Sequence, residues 1–216
     1  MLRPILYFGK WSPPSSAVRM TAKAIGLDLN LHEINLLKKE HISEDYLKIN
    51  PQHTIPVLDD NGFIVSDSHA ISTYMIDKYA YNDNLYPKDL KKRTLVNQRL
   101  HYNSGVLFCC LLGAIKPLAR GWRRTVSSES QEYLEEAYKY MNTILDGKEW
   151  LAGDSYTLAD ISCITTVCSV TVFKSITDHP NLTKWMKNCE QLPGYADIAV
   201  PGVKGFHGMV NHFLDK

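Results

Sequence analysis

The 216-residue sequence has no Cys-x-x-Cys pair, and its five cysteines are an odd number. This cysteine usage offers neither a zinc ligand set nor a disulfide framework, and it suits a reducing compartment. The sequence also lacks an excess of charge, because 24 Lys and Arg residues against 23 Asp and Glu residues leave a formal net charge of +1. We therefore expect no metal, and no nucleic acid or acidic membrane surface as a partner.

Long hydrophobic runs are scarce as well. The first four residues lack the apolar stretch of a signal peptide, and no uninterrupted apolar segment is long enough to span a bilayer. We therefore expect a cytoplasmic protein with no membrane partner. Its composition, 44% apolar and 22% charged, is ordinary for a globular chain that forms one large domain or two small ones.

The first eighty residues alternate between strand and helix patterns, which predicts a sheet with a parallel element. The expected strands are 4–8, 29–36 and two short segments around Val57 and Ile64, and the expected helices are 15–25, 43–49 and 67–79. This βαβ-α-ββα order is the thioredoxin-like arrangement. It predicts an α/β domain over residues 1–80.

After a polar linker at 81–88, every segment has helical spacing, which predicts an all-helical domain over 89–216. A long helix is expected from about 89 to 119, and others from Ser128, after Thr157 and at 181–192, followed by an aromatic tail. Thr157 and Asp160 have capping-box spacing. The helix body that follows them is almost free of charge, so we expect it to run through the centre of the bundle.

The first candidate for chemistry is Ser12, in the turn Ser12-Pro13-Pro14-Ser15 that leaves the first strand. Redox members of thioredoxin-like folds need Cys-x-x-Cys here, so this turn cannot exchange disulfides. A serine hydroxyl could instead donate a hydrogen bond to the sulfur of a bound thiol. Lowering a thiol pKa of about 8.5 by two units takes about 2.7 kcal/mol, which such a bond and a helix terminus can supply. The alternative role of Ser12 is a plain helix N-cap.

The second candidate is the stretch from Asn50 to Leu58, in which Pro56 stands where a strand should begin. A cis bond before Pro56 would turn the backbone N–H and C=O of Ile55 towards a bound peptide. Asp67 and Ser68, at the start of the next helix, can hold a carboxylate and an amine together. This combination predicts a site for a small zwitterionic peptide.

With these motifs, the sequence resembles a cytosolic glutathione S-transferase of the insect delta/epsilon classes, nearer to epsilon. The resemblance spans both domains and is carried by Ser12-Pro13-Pro14, the segment 50–58, Asp67-Ser68-His69-Ala70-Ile71, Leu85-Tyr86-Pro87-Lys88, Ser104-Gly105-Val106-Leu107-Phe108 and the capping box. It implies a homodimer that conjugates reduced glutathione to hydrophobic electrophiles in detoxification, and it also allows dehydrochlorination. The alternatives are a low-turnover carrier of apolar ligands and a glutathione-dependent isomerase for an endogenous metabolite.

The resemblance also implies roles for individual residues. Ser12 would activate the thiol, Ile55 would pair its backbone with the cysteinyl unit, and Asp67 and Ser68 would hold the γ-glutamyl group. The glutathione-binding set as a whole is His41, His53, Thr54, Ile55, Pro56, Asp67 and Ser68. The two histidines would lie at the glycyl end, and their alternative is an ordinary structural role.

For the electrophile, the expected residues are Trp11, Phe108, Leu112, Lys116 and Phe206. Positions 108, 112 and 116 share one helix face, although such an apolar stripe is also typical of an ordinary core.

Two departures from relatives bear on this prediction. Many relatives have Glu in place of Asp67, and epsilon enzymes commonly place Arg where this chain has Cys109-Cys110-Leu111-Leu112. Because these Arg residues are missing, we expect a more apolar cleft that binds anionic electrophiles more weakly.

Overall fold

The computed structural model describes residues 3–214, and its first part is a four-stranded sheet flanked by three helices. The elements are β1 (Ile5–Phe8), α1 (Pro13–Ala24), β2 (Asn30–Glu33), α2 (Glu44–Ile49), β3 (Val57–Asp60), β4 (Phe63–Ser66) and α3 (Ser68–Tyr79). The strand order is β2-β1-β3-β4, with β1 parallel to β2 and antiparallel to β3. The predicted thioredoxin-like arrangement is confirmed.

Side chains along each strand alternate between the two faces of the sheet, and each face has its own hydrophobic core. Leu6 and Leu58, which are paired in the β1–β3 ladder, pack against α1 and α3 on one face. The neighbouring pair, Tyr7 and Val57, contacts Tyr46 of α2 on the other face. Helices therefore cover both faces, and the end of β1 that leads into α1 remains available for a site.

The second part of the chain is helical, as predicted. Its helices are α4 (Leu90–Tyr102), α5 (Phe108–Ala119), α6 (Ser128–Ile144), α7 (Leu158–Val170), α8 (Pro180–Cys189) and α9 (Val200–Leu214). A π-helical turn, Asn103–Leu107, joins α4 to α5, so the long helix expected from about 89 to 119 is continuous over Leu90–Ala119. Every residue of α7 is buried, so α7 is the expected central helix.

The capping box at the start of α7 is also confirmed. The Asp160 carboxylate accepts hydrogen bonds from the Thr157 N–H at 2.8 Å, the Leu151 N–H at 2.9 Å and the Trp185 indole N–H at 2.8 Å. The Thr157 hydroxyl in turn accepts from the Ala159 N–H. Three segments of the helical domain therefore donate hydrogen bonds to one buried carboxylate.

Helix α9 is the main departure from the sequence prediction, which treats this segment as an aromatic tail. Phe206 and Val210 bury one side of the helix against the helical domain. The segment carries Gly202, Gly205 and Gly208, and glycine lowers intrinsic helix propensity. Packing stabilises this helix in spite of its propensity.

The two parts of the chain are packed together through α1, which contacts α7 along its length. The connection between α3 and α4 adds a second contact, because Leu85 and Tyr86 within it are buried. The Leu158 N–H at the start of α7 donates to the Leu85 carbonyl oxygen at 2.8 Å. The predicted linker segment is therefore packed against the helical domain.

One continuous helical stretch, Leu90–Ala119, is long and apolar enough to cross a membrane by length and composition. Its most apolar 18-residue window has a mean hydropathy of 1.3 and is 33% buried in this fold. The apolar side of the stretch contacts α6, α7 and α9. A helix at the core of a bundle passes the same test, so this stretch is weak evidence for a membrane span.

All five cysteines are free thiols. Cys109 is exposed and Cys110 is half-buried, whereas the other three lie inside the helical domain: Cys163, Cys168 and Cys189. Burial raises the pKa of all three buried thiols, that of Cys168 to about 11. These buried cysteines therefore act as small apolar core residues at neutral pH.

Candidate functional site

Ser12 lies at the junction of β1 and α1, where it caps the helix. Its Oγ accepts a hydrogen bond from the Ser15 N–H at 3.4 Å, and its backbone N–H donates to the Gly9 carbonyl oxygen at 3.1 Å. The side chain is half-buried. Because the cap uses only the hydroxyl oxygen as an acceptor, the hydroxyl hydrogen is available to a ligand, and the cap role and the predicted thiol-activating role are compatible.

The first turn of α1 has few free backbone N–H donors. Pro13 and Pro14 carry no N–H, the Ser15 N–H donates to Ser12 Oγ, and the Ser16 N–H donates to the Ser12 carbonyl oxygen at 2.9 Å. The backbone N–H groups of this turn are therefore already engaged within the turn. The helix dipole still favours a negative charge here, but the directional donor is the Ser12 hydroxyl.

The segment around Ile55 approaches this turn at Gly9. A Cβ placed on Gly9 would overlap Cδ1 of Ile55 and would lie 3.3 Å from the Ser12 Cβ. The Ile55–Pro56 peptide bond is cis, the form considered for it in the sequence, and β3 begins at the next residue. The fold thus brings Ser12 and Ile55, which are 43 positions apart, to the same glycine.

Three side-chain hydrogen bonds hold the loop that precedes Ile55, and the sequence analysis missed all three. The Tyr46 hydroxyl donates to the Thr54 carbonyl oxygen at 2.7 Å, and Asn50 Nδ2 donates to the same oxygen at 3.0 Å and to Thr54 Oγ1 at 3.1 Å. The short spacing from Asn50 to Thr54 was the available signal, because Asn side chains commonly bond to nearby backbone in turns. Thr54 therefore fixes the loop directly before Ile55.

His41 and His53 lie side by side, with ring centroids 6.2 Å apart. Burial lowers the pKa of His41, and the neighbouring His53 lowers it further. Within the described residues 3–214, His41 Nδ1 is a buried nitrogen without a hydrogen-bond partner. His53 adopts a left-handed backbone with φ of 50°, which is uncommon for a residue with a side chain.

Asp67 begins α3 with a φ of 75° and caps the helix through one oxygen. Its Oδ1 accepts from the His69 N–H at 2.9 Å and the Ala70 N–H at 3.0 Å. The second carboxylate oxygen is not needed for the cap, and Asp67 is exposed while Ser68 is half-buried. This end of α3 can therefore hold a ligand's amine and carboxylate while it keeps its own cap.

His69, the next residue, ties this end of α3 to the helical domain. Its Nε2 lies 3.3 Å from Asn103 Nδ2 in the π-helical turn, and Asn103 Nδ2 also donates to the Ser162 carbonyl oxygen at 3.2 Å. Burial lowers the pKa of His69, which favours the neutral ring that can accept from Asn103. In the sequence, His69 stands out only as part of a motif, and its contact with Asn103 was not predicted.

The family to which this chain belongs follows from its match to known protein families. The N-terminal domain model of glutathione S-transferase matches residues 6–83, and the C-terminal domain model of the same family matches residues 113–193. The chain belongs to the glutathione S-transferase family. Its members are transferases that use glutathione as co-substrate, and insect relatives support the delta/epsilon type.

Individual glutathione S-transferases match over most of their length. "Glutathione S-transferase 1" of Manduca sexta is 40% identical over 88% of this chain and 89% of the relative. An epsilon-class structure from the housefly Musca domestica superposes with a TM-score of 0.94 at 37% identity, covering 98% of both chains. A homologue from Drosophila mojavensis, solved with bound glutathione, superposes with a TM-score of 0.91 at 38% identity over 98% of both chains.

The expected electrophile-binding residues of this glutathione S-transferase differ in their exposure to solvent. Trp11 is 37% exposed beside Ser12, Phe108 and Leu112 are half-buried on α5, and Lys116 is exposed on the same helix. Phe206 is only 4% exposed and meets Phe173 edge to face at 6.3 Å, so it serves the core of the helical domain in this conformation. Helix α9 contacts both α1 and α5, and its Gly205 lies against the Trp11 ring.

Across residues 3–214, no group of three or more His, Cys, Asp or Glu side chains could hold a metal ion.

Proposed function

We propose that Ser12 stabilises the thiolate of bound glutathione, and that this sulfur attacks an electrophilic carbon held beside Trp11 and the α5 face. The thiol proton passes to water, the S–C bond forms as the carbon–leaving-group bond breaks, and the leaving group departs with the electrons of that bond. The enzyme contributes proximity and a lowered thiol pKa, with no covalent enzyme intermediate.

The observation that carries this proposal is the meeting of Ser12 and Ile55 at Gly9. A cysteinyl unit paired with the Ile55 backbone would have its sulfur near the Ser12 hydroxyl, in a turn whose N–H groups are already engaged. We assign the γ-glutamyl group to Asp67 and Ser68 and the glycyl end to His41 and His53. Thr54 and Pro56 would shape the loop.

The direct test is the ionisation of bound glutathione, followed by ultraviolet absorbance of the thiolate during a pH titration. In Ser12→Ala the thiol pKa should rise towards that of free glutathione, and conjugation of a generic aryl halide should fall on the order of tenfold to a hundredfold. Ser12→Thr, which keeps a hydroxyl, is the matched variant and should retain more of both properties. An unchanged thiol pKa in Ser12→Ala would refute the role of this hydroxyl.

The same assay separates the other functions. A carrier would bind apolar ligands tightly, turn over little and be indifferent to Ser12→Ala. A glutathione-dependent isomerase would act on one endogenous metabolite and only weakly on aryl halides. The half-buried Phe108 and Leu112 favour general conjugation of hydrophobic electrophiles, as in detoxification, and dehydrochlorination would use the same thiolate as a base.

We further propose that the protein acts as a cytoplasmic homodimer of the epsilon class. Phe63 and Ile64 on the edge strand β4 are 52% and 45% exposed, and Leu90 at the start of α4 is 78% exposed. Exposed apolar side chains of this size are typical of a surface that a second chain covers. Sedimentation of the wild type and of Phe63→Lys tests this, because a monomeric wild type contradicts it.

We also propose that the two domains comprise residues 1–80 and 89–216. Limited proteolysis tests these limits, because cleavage should fall in the connection 81–88.

A further inference from the structure

Helix α9 approaches the catalytic turn along two of its three glycines. A Cβ on Gly202 would lie 2.9 Å from Ser16 Oγ and 3.6 Å from the Lys10 carbonyl oxygen. A Cβ on Gly205 would overlap the indole ring of Trp11, whereas one on Gly208 would meet nothing within 4 Å. The helix backbone therefore touches the turn that carries Ser12, and only hydrogen fits at position 205.

Trp11 is fixed on its inner side and open on its outer side. The crevice between this turn, α7 and α9 is lined by Trp11, Ser16 and Gly202 among others, and it has no room for a water molecule. The side chain is nevertheless 37% exposed. The indole thus rests on a helix backbone and presents a surface to solvent one residue before Ser12.

We propose that Gly205 is a positioning residue that seats the Trp11 indole as a flat wall beside the activated sulfur, and that this wall selects planar aromatic electrophiles over aliphatic ones. The inference rests on the proposed function, whose cleft it describes more closely. Indole offers a large rigid face, and an aromatic ring stacked on it gains about twofold to tenfold in affinity beyond its area. An aliphatic group of equal size gains no such stacking.

The contact also explains why glycine occupies a helical position at all. Glycine is a poor helix former, so an alanine at 205 would favour the isolated helix. In the folded protein that methyl group would displace the indole. Gly208 lies on the same helix, three residues away, with open space around it, so Gly208→Ala makes the same chemical change without touching Trp11.

The test measures binding of an S-aryl and an S-alkyl glutathione by calorimetry, so that its outcome does not depend on thiol ionisation. Wild type should prefer the S-aryl ligand, and Gly205→Ala should reduce that preference about threefold to tenfold. Gly208→Ala should leave it unchanged. Trp11→Leu should also remove the preference, and adding Gly205→Ala to Trp11→Leu should then have little further effect on the ratio.

Each outcome decides the matter. Equal ratios in Gly205→Ala and Gly208→Ala overturn the role of Gly205, and a Gly205→Ala effect that persists in the Trp11→Leu background shows that it does not act through the indole. If Gly205→Ala does not fold, the Trp11→Leu ratio still decides whether the indole selects aryl ligands. If S-aryl selectivity is present but Ser12→Ala leaves the thiol pKa unchanged, the proposed catalysis fails while the proposed wall stands.

Discussion

The Tyr46 hydroxyl donates a 2.7 Å hydrogen bond to the carbonyl oxygen of Thr54, and so α2 holds the loop directly before Ile55. Burial, with a smaller effect from Tyr7, raises the pKa of Tyr46 to about 12. The hydroxyl therefore remains a donor throughout the pH range in which a glutathione S-transferase works. Asn50, at the end of α2, supplies the other side-chain hydrogen bonds to Thr54.

Tyr46→Phe keeps the ring and removes this donor. We expect the free energy of unfolding to fall by about 1 kcal/mol, as for the loss of one neutral hydrogen bond, and the KM for glutathione to rise several-fold while kcat changes less. Denaturant unfolding and steady-state kinetics measure the two effects. Tyr133→Phe, an exposed tyrosine on α6, is the control. An unchanged glutathione KM would show that the loop is held by other contacts.

Gly9→Ala should disturb the site through Ile55. The new methyl group would overlap Cδ1 of Ile55, and overpacking of this kind costs about 1–3 kcal/mol. We expect lower stability and weaker glutathione binding, measured by thermal unfolding and calorimetry. Adding Ile55→Val, which removes Cδ1, should restore part of both properties. Failure of this rescue would mean that the overlap with Ile55 is not the cause.

The buried Asp160 carboxylate should be critical for stability. It has four donors around it: the Leu151 and Thr157 N–H groups, the Trp185 indole and the Thr157 hydroxyl at 3.2 Å. Asp160→Asn replaces one acceptor oxygen by an NH2 group that faces these donors, so the free energy of unfolding should fall by about 3 kcal/mol or more. Denaturant unfolding measures the change.

Thr157→Ser is the companion variant for this cap. It keeps the hydroxyl that accepts from the Ala159 N–H, so it should cost clearly less than Thr157→Ala, which removes about 1 kcal/mol of cap energy or more. Equal losses in the two variants would assign the effect to the methyl group of Thr157.

Asp60 should make stability depend on pH. Burial alone would raise the pKa of this carboxyl, but hydrogen bonds from Lys78, Tyr74, Tyr79 and Asn61 outweigh it and hold the pKa well below its usual range. A pKa that is lower in the folded state gives stability that is present above the unfolded pKa of about 4 and is lost as the pH falls through the folded value.

Thermal unfolding of wild type and Asp60→Asn from pH 7 to pH 3 tests this. The Tm of Asp60→Asn should be lower at pH 7, and the gap should narrow as the pH falls below about 4. Asp28→Asn, which removes an exposed ion pair with Arg3, should have little effect at either pH. A gap that stays constant across this range would contradict the linkage.

Local patterns made most of the fold predictable. Strand and helix periodicity identified β1 to α3 in the right order, and the absence of charge on α7 predicted its central position. Predicted ends differ from the observed ones by a few residues, as for β2, expected over 29–36 and observed as Asn30–Glu33. Helix α9 was missed because three glycines lower its propensity, and tertiary packing supplies what propensity lacks.

The candidate site was predictable only where its chemistry is local. The caps formed by Ser12 and Asp67 follow from neighbouring residues and turn chemistry, and Pro56 marks a peptide bond at which the cis form costs little. The contacts of Gly9 with Ile55 and of Gly205 with Trp11 join distant parts of the chain, and one sequence does not reveal which glycine faces which side chain. The two prolines after Ser12 were visible, but their effect on the donors of α1 needed the geometry of the cap.

An enzyme that gathers electrophiles exposes its own nucleophiles to alkylation. Since the thiolate is the reactive form, the raised pKa values of Cys163, Cys168 and Cys189 protect these residues from the compounds that the cleft collects. Cys109, by contrast, is exposed on α5, next to Phe108. Self-inactivation during turnover should therefore begin at Cys109, and mass spectrometry of the spent enzyme would find the first adduct there.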